Sequence, residues 1–238
     1  MIPVLKTAII WIHVLSRTRH FAEHCRRLQI RKAVPGEVLR RRTTPGNLLT
    51  DFGVEGDRRI VIVNHDGRVI TARRYPQLLA LKGSLGKDGT PLIQDRPWND
   101  PESLARVREA TGRATELLEA KGKESFDVLP LSLATDGATD YLGVDRRRFR
   151  PNLLIGGVQG LPERNWEGLA LHIGNAVICM AQLRGGCVMT TWDPDTQVRE
   201  PSVLRRITKE LDGALSPHSF VEQEGTVHVG DPVELIND

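Results

Sequence analysis

Leu169-Ala170-Leu171-His172-Ile173-Gly174-Asn175-Ala176-Val177-Ile178-Cys179-Met180-Ala181-Gln182-Leu183 decides the fold class of this chain. Two apolar, strand-forming runs, Leu169 to Ile173 and Ala176 to Leu183, flank the Gly174-Asn175 pair, which is the signature of a tight β-hairpin. The same grammar recurs outward from it. Asn152-Leu153-Leu154-Ile155 stops at Gly156-Gly157, and Thr226 to Val229 and Val233 to Ile236 flank Gly230-Asp231-Pro232. Upstream, Ile60-Val61-Ile62-Val63 is followed by the turn Asn64-His65-Asp66-Gly67 and by Arg68 to Ala72, a second hairpin in which Gly67 supplies the left-handed position. Helical signals are fewer. Pro201 to Leu211 carries Val203, Leu204, Ile207 and Leu211 on one face with Gly213 just beyond, and Glu102 to Lys121 is a helix that Gly112 interrupts. The polar stretch from Lys82 to Pro101 reads as loop, and Arg17 to Lys32 as a basic amphipathic helix. Short strands with few helices predict a mainly β, barrel-like fold with peripheral helices.

Composition narrows the function classes. The chain has 238 residues, 39% of them hydrophobic and 26% charged, which is the make-up of a globular protein with a sizeable core. A net charge of +3 is too small to announce a nucleic-acid binder, although 26 of the 33 basic residues are arginine. Arginine presents a planar fork suited to phosphate and carboxylate; an arginine-rich composition also follows from genome base composition. Cys25, Cys179 and Cys187 are too few and too scattered for a disulfide framework, and no Cys-x-x-Cys pair exists for a zinc ribbon or an iron–sulfur cluster. A reducing, cytoplasmic compartment is the expectation. The apolar run Ala8 to Leu15 is far too short to span a membrane, and Arg17, Arg19 and His20 stand where a signal cleavage site would need small residues.

The segment richest in chemistry is Arg184-Gly185-Gly186-Cys187-Val188-Met189-Thr190-Thr191-Trp192-Asp193-Pro194-Asp195-Thr196. Gly185 and Gly186 would let backbone N–H groups turn toward an anion and leave room for a large ligand. Arg184 would favour a thiolate at Cys187, which is both a soft metal ligand and a nucleophile. The alternative is a structural cysteine at a strand end. Asp193-Pro194-Asp195-Thr196 is read as a side-chain-capped turn in preference to a cation site. Arg58, in Gly53-Val54-Glu55-Gly56-Asp57-Arg58-Arg59, either points into a pocket or makes a surface ion pair. Arg150 and Asn152 lie two apart at the start of a strand, so they would share a face and offer a guanidinium fork and an amide to one ligand. His20, His24 and Cys25 have helical metal-ligand spacing but read as an incidental surface cluster.

Taken together, Cys187-x-x-Thr190-Thr191-x-Asp193-Pro194-Asp195-Thr196, Phe149-Arg150-Pro151-Asn152 and Gly56-Asp57-Arg58 resemble the MOSC-domain proteins. The likeness is strongest to the group that includes the mitochondrial amidoxime-reducing component and its bacterial relatives. Thr71 to Leu78, Asp127 to Leu131, Trp166 and Val229-Gly230-Asp231-Pro232-Val233 extend it, in consistent order, from about residue 48 to 237. The resemblance implies a MOSC-type β-barrel of the α+β kind, with residues 1–100 an N-terminal barrel region, divergent before residue 48, and residues 101–238 the domain carrying Cys187. It further implies a molybdenum–molybdopterin cofactor, ligated by Cys187 as metal ligand and catalytic residue and held by Arg58, Asp127, Arg150, Asn152, Arg184, Gly185 and Gly186. The activity implied is reduction of a small N-hydroxylated or N-oxygenated substrate, with electrons from a separate reductase and no nucleic-acid or membrane partner.

Two departures stand out. Residues 1–50 contain no match to the family's Tyr-Pro-x-Lys-Ser, and Gly186 occupies the position before the cysteine where relatives commonly carry Arg. Two other functions fit the same cysteine or the same arginines. One is a sulfur carrier or sulfurtransferase with a persulfide on Cys187, the other a non-catalytic module that binds the cofactor.

Overall fold

The computed structural model describes residues 29–38, 47–120 and 128–237. They fall into two compact units, one made of residues 56–120 and 192–200 and the other of residues 29–38, 47–55, 128–191 and 201–237.

The second unit is a closed barrel. Its strands are β1 (Gln29–Val38), β2 (Leu131–Thr135), β3 (Leu153–Gly156), β4 (Ala170–Ile173), β5 (Ala176–Gly185), β6 (Ala214–Gln223) and β7 (Pro232–Asn237). They run around the barrel in the order β1-β3-β2-β6-β5-β4-β7, and β1 closes it by pairing with both β3 and β7. Neighbours are antiparallel except β2 and β3, which pair in parallel with Leu153 opposite Leu133 and Ile155 opposite Thr135. Alternation along each strand sends Leu131, Leu133, Leu153, Ile155, Leu171, Ile173, Ile178 and Met180 into one core. The mainly β, barrel-type expectation therefore holds.

The deciding hairpin forms as its sequence predicts, with Ile173 opposite Ala176. Gly174 sits at φ +60, and a Cβ there would lie 2.5 Å from the Thr226 carbonyl oxygen, so only glycine fits. Helix α3 (Pro201–Glu210) also appears where expected; α1 is Pro101–Thr111 and α2 is Asp136–Leu142. Val203, Ile207 and Leu211, at the inward positions of α3 and the turn after it, pack with Leu142, Phe149 and Leu215.

Several expectations need correction. Gly112 does not interrupt a longer helix. It ends α1 in the left-handed conformation, its N–H donating to Arg108 O, and Glu116–Glu119 becomes a strand against Ile60–Val63. The Asn64–Gly67 turn is present, with Asn64 N–H donating to Arg68 O at 2.9 Å, but its return arm shrinks to a bridge between Val69 and Val63. The expected loop from Lys82 to Pro101 contains a small three-stranded sheet of Gly83–Leu85, Pro91–Ile93 and Arg96–Pro97. Gln29–Val38 is a strand, which removes the end of the helix expected over Arg17 to Lys32; the rest of that helix, like His20, His24 and Cys25, lies outside the described residues.

Among the described residues of the barrel unit, one carboxyl group is buried. Glu163, 1% exposed, lies in the short helical turn Pro162–Asn165 and accepts a hydrogen bond from the Thr135 hydroxyl at 3.1 Å. Thr135 in turn caps α2 by accepting from Ala138 N–H at 3.0 Å. Burial pushes the Glu163 pKa up, against its own backbone N–H, the Thr135 hydroxyl and the Arg164 charge, which pull it down. A raised folded-state pKa means stability is greatest while Glu163 is protonated in both states and declines as pH rises out of the ordinary glutamate range. Glu163→Gln keeps an acceptor for Thr135 and cannot ionise. Its urea midpoint should therefore exceed that of the wild type at neutral pH and converge with it in acid.

Close docking of α3 produces a second expectation. A Cβ on Gly186 would stand 2.8 Å from Ile207 Cγ2 and 3.2 Å from Leu204 Cδ1, whereas a Cβ on Gly185 meets nothing within 4 Å. Gly186→Ala should cost about 1–3 kcal/mol by forcing the helix to shift. Gly185→Ala should cost clearly less, and chemical denaturation of the two variants side by side measures the contrast.

Candidate functional site

Cys187 lies just past the end of β5, where the chain turns into the short helical segment Val188–Thr191. The turn is held from within. Thr190 donates to the Cys187 carbonyl through both its N–H (3.0 Å) and its hydroxyl (2.8 Å), and the Thr191 hydroxyl donates to Val188 O at 2.6 Å. The two threonines of the motif are thus buried turn formers, and Cys187 itself is half-buried. Cys179, eight positions earlier on β5, is fully buried in an apolar cluster with Ala170 and Ile236.

Three guanidinium groups gather on this turn and on the one before β3. Arg184 donates through Nη2 to Phe149 O at 2.6 Å, which ties the end of β5 to the segment Arg146–Phe149. Arg148, only 5% exposed, donates through Nη1 to Thr191 O at 3.2 Å and so joins the same segment to the turn after Cys187. Between them in sequence, Arg150 feels both Cys187 and Arg184 electrostatically. Burial pushes its pKa down to about 10, a thiolate at Cys187 pulls it back up, and the charge of Arg184 presses it further down. A cation in that position gains from any anion that arrives.

The sequence placed Arg150 and Asn152 on one face of a strand, and the structure corrects this. Arg150 is not in the strand. It closes the Arg146–Phe149 turn at φ +51, Pro151 has no N–H to give a ladder, and β3 begins at Leu153. Asn152 instead clamps β3 to β2. Its N–H donates to Ser132 O at 2.8 Å, and its Oδ1 accepts from Ser132 N–H at 3.0 Å and from Ser132 Oγ at 3.2 Å. The two residues remain neighbours because Ser132 Oγ also lies 3.3 Å from Arg150 O.

The glycines have different tasks from one another. Gly186 N–H is engaged by Gly213 O at 2.8 Å, so it does not point at a ligand, and its missing side chain makes room for α3. Gly185 is exposed and lies opposite Ala214 on β6. Arg58 belongs to the other unit, where it pairs with Asp57 at 3.5 Å and takes φ +55. Both arginines singled out at turns, Arg58 and Arg150, therefore hold a left-handed backbone that costs a non-glycine residue about 1–3 kcal/mol, a cost that tends to be retained at functional positions. Asp127 lies outside the described residues.

The Asp193-Pro194-Asp195-Thr196 segment is the capped turn expected of it. Asp193 Oδ1 accepts from the N–H groups of Asp195 (3.0 Å) and Thr196 (2.8 Å) and from the Thr196 hydroxyl (2.9 Å). Among the described residues there is no cluster of three His, Cys, Asp or Glu side chains able to hold a metal, and no helix long and apolar enough to cross a membrane. Arg148 is the site residue that sequence reading passed over. It sits in a basic run that looks like a solvated face, and only the buried carbonyl of Thr191, far away in sequence, makes it an internal strut.

The model of the MOSC N-terminal beta barrel domain matches residues 32–128, and that of the MOSC domain matches residues 122–234. Mitochondrial amidoxime-reducing component 1 of Homo sapiens is 30% identical, over 76% of this chain and 73% of that protein. Mitochondrial amidoxime reducing component 2 of Macaca fascicularis is also 30% identical, over 74% of this chain and 72% of the other. Among solved structures, the YUAD protein of Bacillus subtilis aligns with 87% of this chain and 96% of its own at 15% identity and a TM-score of 0.42. YiiM of Geobacillus stearothermophilus aligns with 45% and 54% at 17% identity and a TM-score of 0.37. With both domain models in register along the chain and the relatives matched over most of its length, the protein belongs to the MOSC-domain family and is a homologue of the mitochondrial amidoxime-reducing components.

Proposed function

We propose that this protein is a molybdenum-cofactor-dependent oxidoreductase that reduces N-hydroxylated or N-oxygenated compounds. The observation that carries the proposal is the meeting of Cys187 with Arg148, Arg150 and Arg184 in one unit, Arg150 being a crowded cation with a lowered pKa. A half-buried thiol among guanidinium groups is a donor set that suits a metal bound to an anionic, phosphate-bearing organic group. The names of the curated relatives support the reductive direction.

In this reading Cys187 ligates molybdenum through its thiolate, and the rigid threonine-bonded turn keeps its sulfur from wandering. Arg150 supplies charge to the anionic part of the cofactor, and Arg184 adds to that field while anchoring the end of β5. Asn152 holds the strand from which Arg150 departs. Arg58 and Asp127 are the contributions proposed from outside this cluster. The cofactor supplies the two-electron redox chemistry, while the chain binds it, orients it and balances its charge. Electrons come from a separate donor protein.

Metal analysis tests the proposal. Protein made in a molybdenum-replete host should hold molybdenum, and Cys187→Ala should lose both the metal and the reduction of an amidoxime. Arg150→Ala should lower the metal content while leaving the urea midpoint nearly unchanged or raised, since a crowded, strained cation is removed. Wild-type protein without molybdenum would overturn the reading, and a persulfide adduct on Cys187 in its place would favour the sulfur carrier.

A further inference from the structure

The loop that follows α3 is bonded from two directions. Arg164, on the turn Pro162–Asn165, donates through Nη1 to Ala214 O at 2.8 Å and through Nη2 to Leu211 O at 3.2 Å. The carbonyl between these two anchors, Gly213 O, accepts the N–H of Gly186 at 2.8 Å. Gly186 precedes Cys187, and the carbonyl of Cys187 is itself fixed by Thr190. Cys187 is therefore held on its N-terminal side by the 211–214 loop and on its C-terminal side by its own turn.

The loop carries bonds of its own, Ala214 N–H to Leu211 O at 2.9 Å and Gly213 N–H to Ile207 O at 3.1 Å, and Arg164 adds a second donor at Leu211 O. Asp212 (φ +52) and Gly213 (φ +73) are consecutive left-handed residues, a conformation that gains little from local backbone preference. At the end of a helix a cation is favoured as such a further partner. The fork of a guanidinium reaches both Leu211 O and Ala214 O, which the single ammonium of a lysine cannot span in the same way. Beside it in sequence, Glu163 is buried against Thr135 and fixes the turn that carries Arg164.

We infer that Arg164 is a positioning residue for Cys187, acting through the 211–214 loop and the Gly213–Gly186 hydrogen bond. This rests on the reading of Cys187 as the functional thiol, but the bonding chain can be tested without cofactor or turnover. The Arg164 guanidinium sets the Gly213 carbonyl, the carbonyl sets Gly186, and the cysteine sulfur follows.

The experiment is alkylation of the full-length chain with iodoacetamide under native conditions, with cysteine-resolved mass spectrometry. Cys179, fully buried in β5, reports global opening within the same sample. Arg164→Ala should change the Cys187 rate by roughly fivefold or more with the Cys179 rate unaltered, and Arg164→Lys should fall between it and the wild type. Arg108→Ala is the control. Arg108 makes a guanidinium bond to a loop carbonyl, Thr115 O at 3.1 Å, within the other unit, so its Cys187 rate should match the wild type. Unchanged Cys187 rates in both Arg164 variants, parallel changes at Cys179, or an equal change in Arg108→Ala would overturn the inference. If Arg164→Ala does not fold, the lysine variant alone decides. A positive result in a protein that holds no molybdenum would keep the positioning role and remove the proposed function.

Discussion

The clamp between Asn152 and Ser132 is the constraint from which the site grows. A parallel strand pair inside an otherwise antiparallel barrel has no hairpin to set its register, so something outside the ladder must do it. Three hydrogen bonds between these two residues do so, at 2.8, 3.0 and 3.2 Å. They seat Leu153 opposite Leu133, and the alternation of the barrel core follows. Just before Asn152 the pairing ends, because Pro151 has no N–H to give the ladder and Arg150 turns out of the sheet. The left-handed turn at Arg150 is the exit.

From that exit the chain returns to the Cys187 turn through arginine alone. Arg184 and Arg148 each donate to a carbonyl on the other's segment, Phe149 O and Thr191 O, which pulls two loops distant in sequence into one small volume. Like charges gathered so closely oppose one another, and burial of Arg150 adds to the penalty. An anion bound on this face, as the proposed function requires, would offset part of that penalty and so add to the stability of the fold.

Much of this was legible in advance where the signal is local. The Gly174-Asn175 hairpin, helix α3 and the Asp193–Thr196 turn each depend on residues within a few positions, and each formed as read. The Cys187 motif announced itself by its pattern. What could not be read depends on partners far along the chain. Glu116-Leu117-Leu118-Glu119 is made of helix formers, yet it pairs with Ile60–Val63 because that strand needed an antiparallel neighbour more than the segment needed a helix. Arg148 resembles solvent-facing charge until Thr191 O comes to meet it, and Glu163 resembles any surface carboxylate until Thr135 does. Gly186 suggested an anion-binding backbone. Its N–H was claimed instead by Gly213, twenty-seven positions later.

The space that Gly186 leaves for Ile207 and Leu204 has a consequence for how this protein can change. An arginine directly before the cysteine, the residue that the family resemblance leads one to expect, would meet at its first side-chain carbon the same crowding against Ile207 and Leu204 that an alanine meets. Smaller residues at 204 and 207 would relieve it, and those alone would leave a void beneath the site. Positions 186, 204 and 207 are therefore linked in a mutational path, and a library that varies them together will find solutions that one-at-a-time scanning rejects.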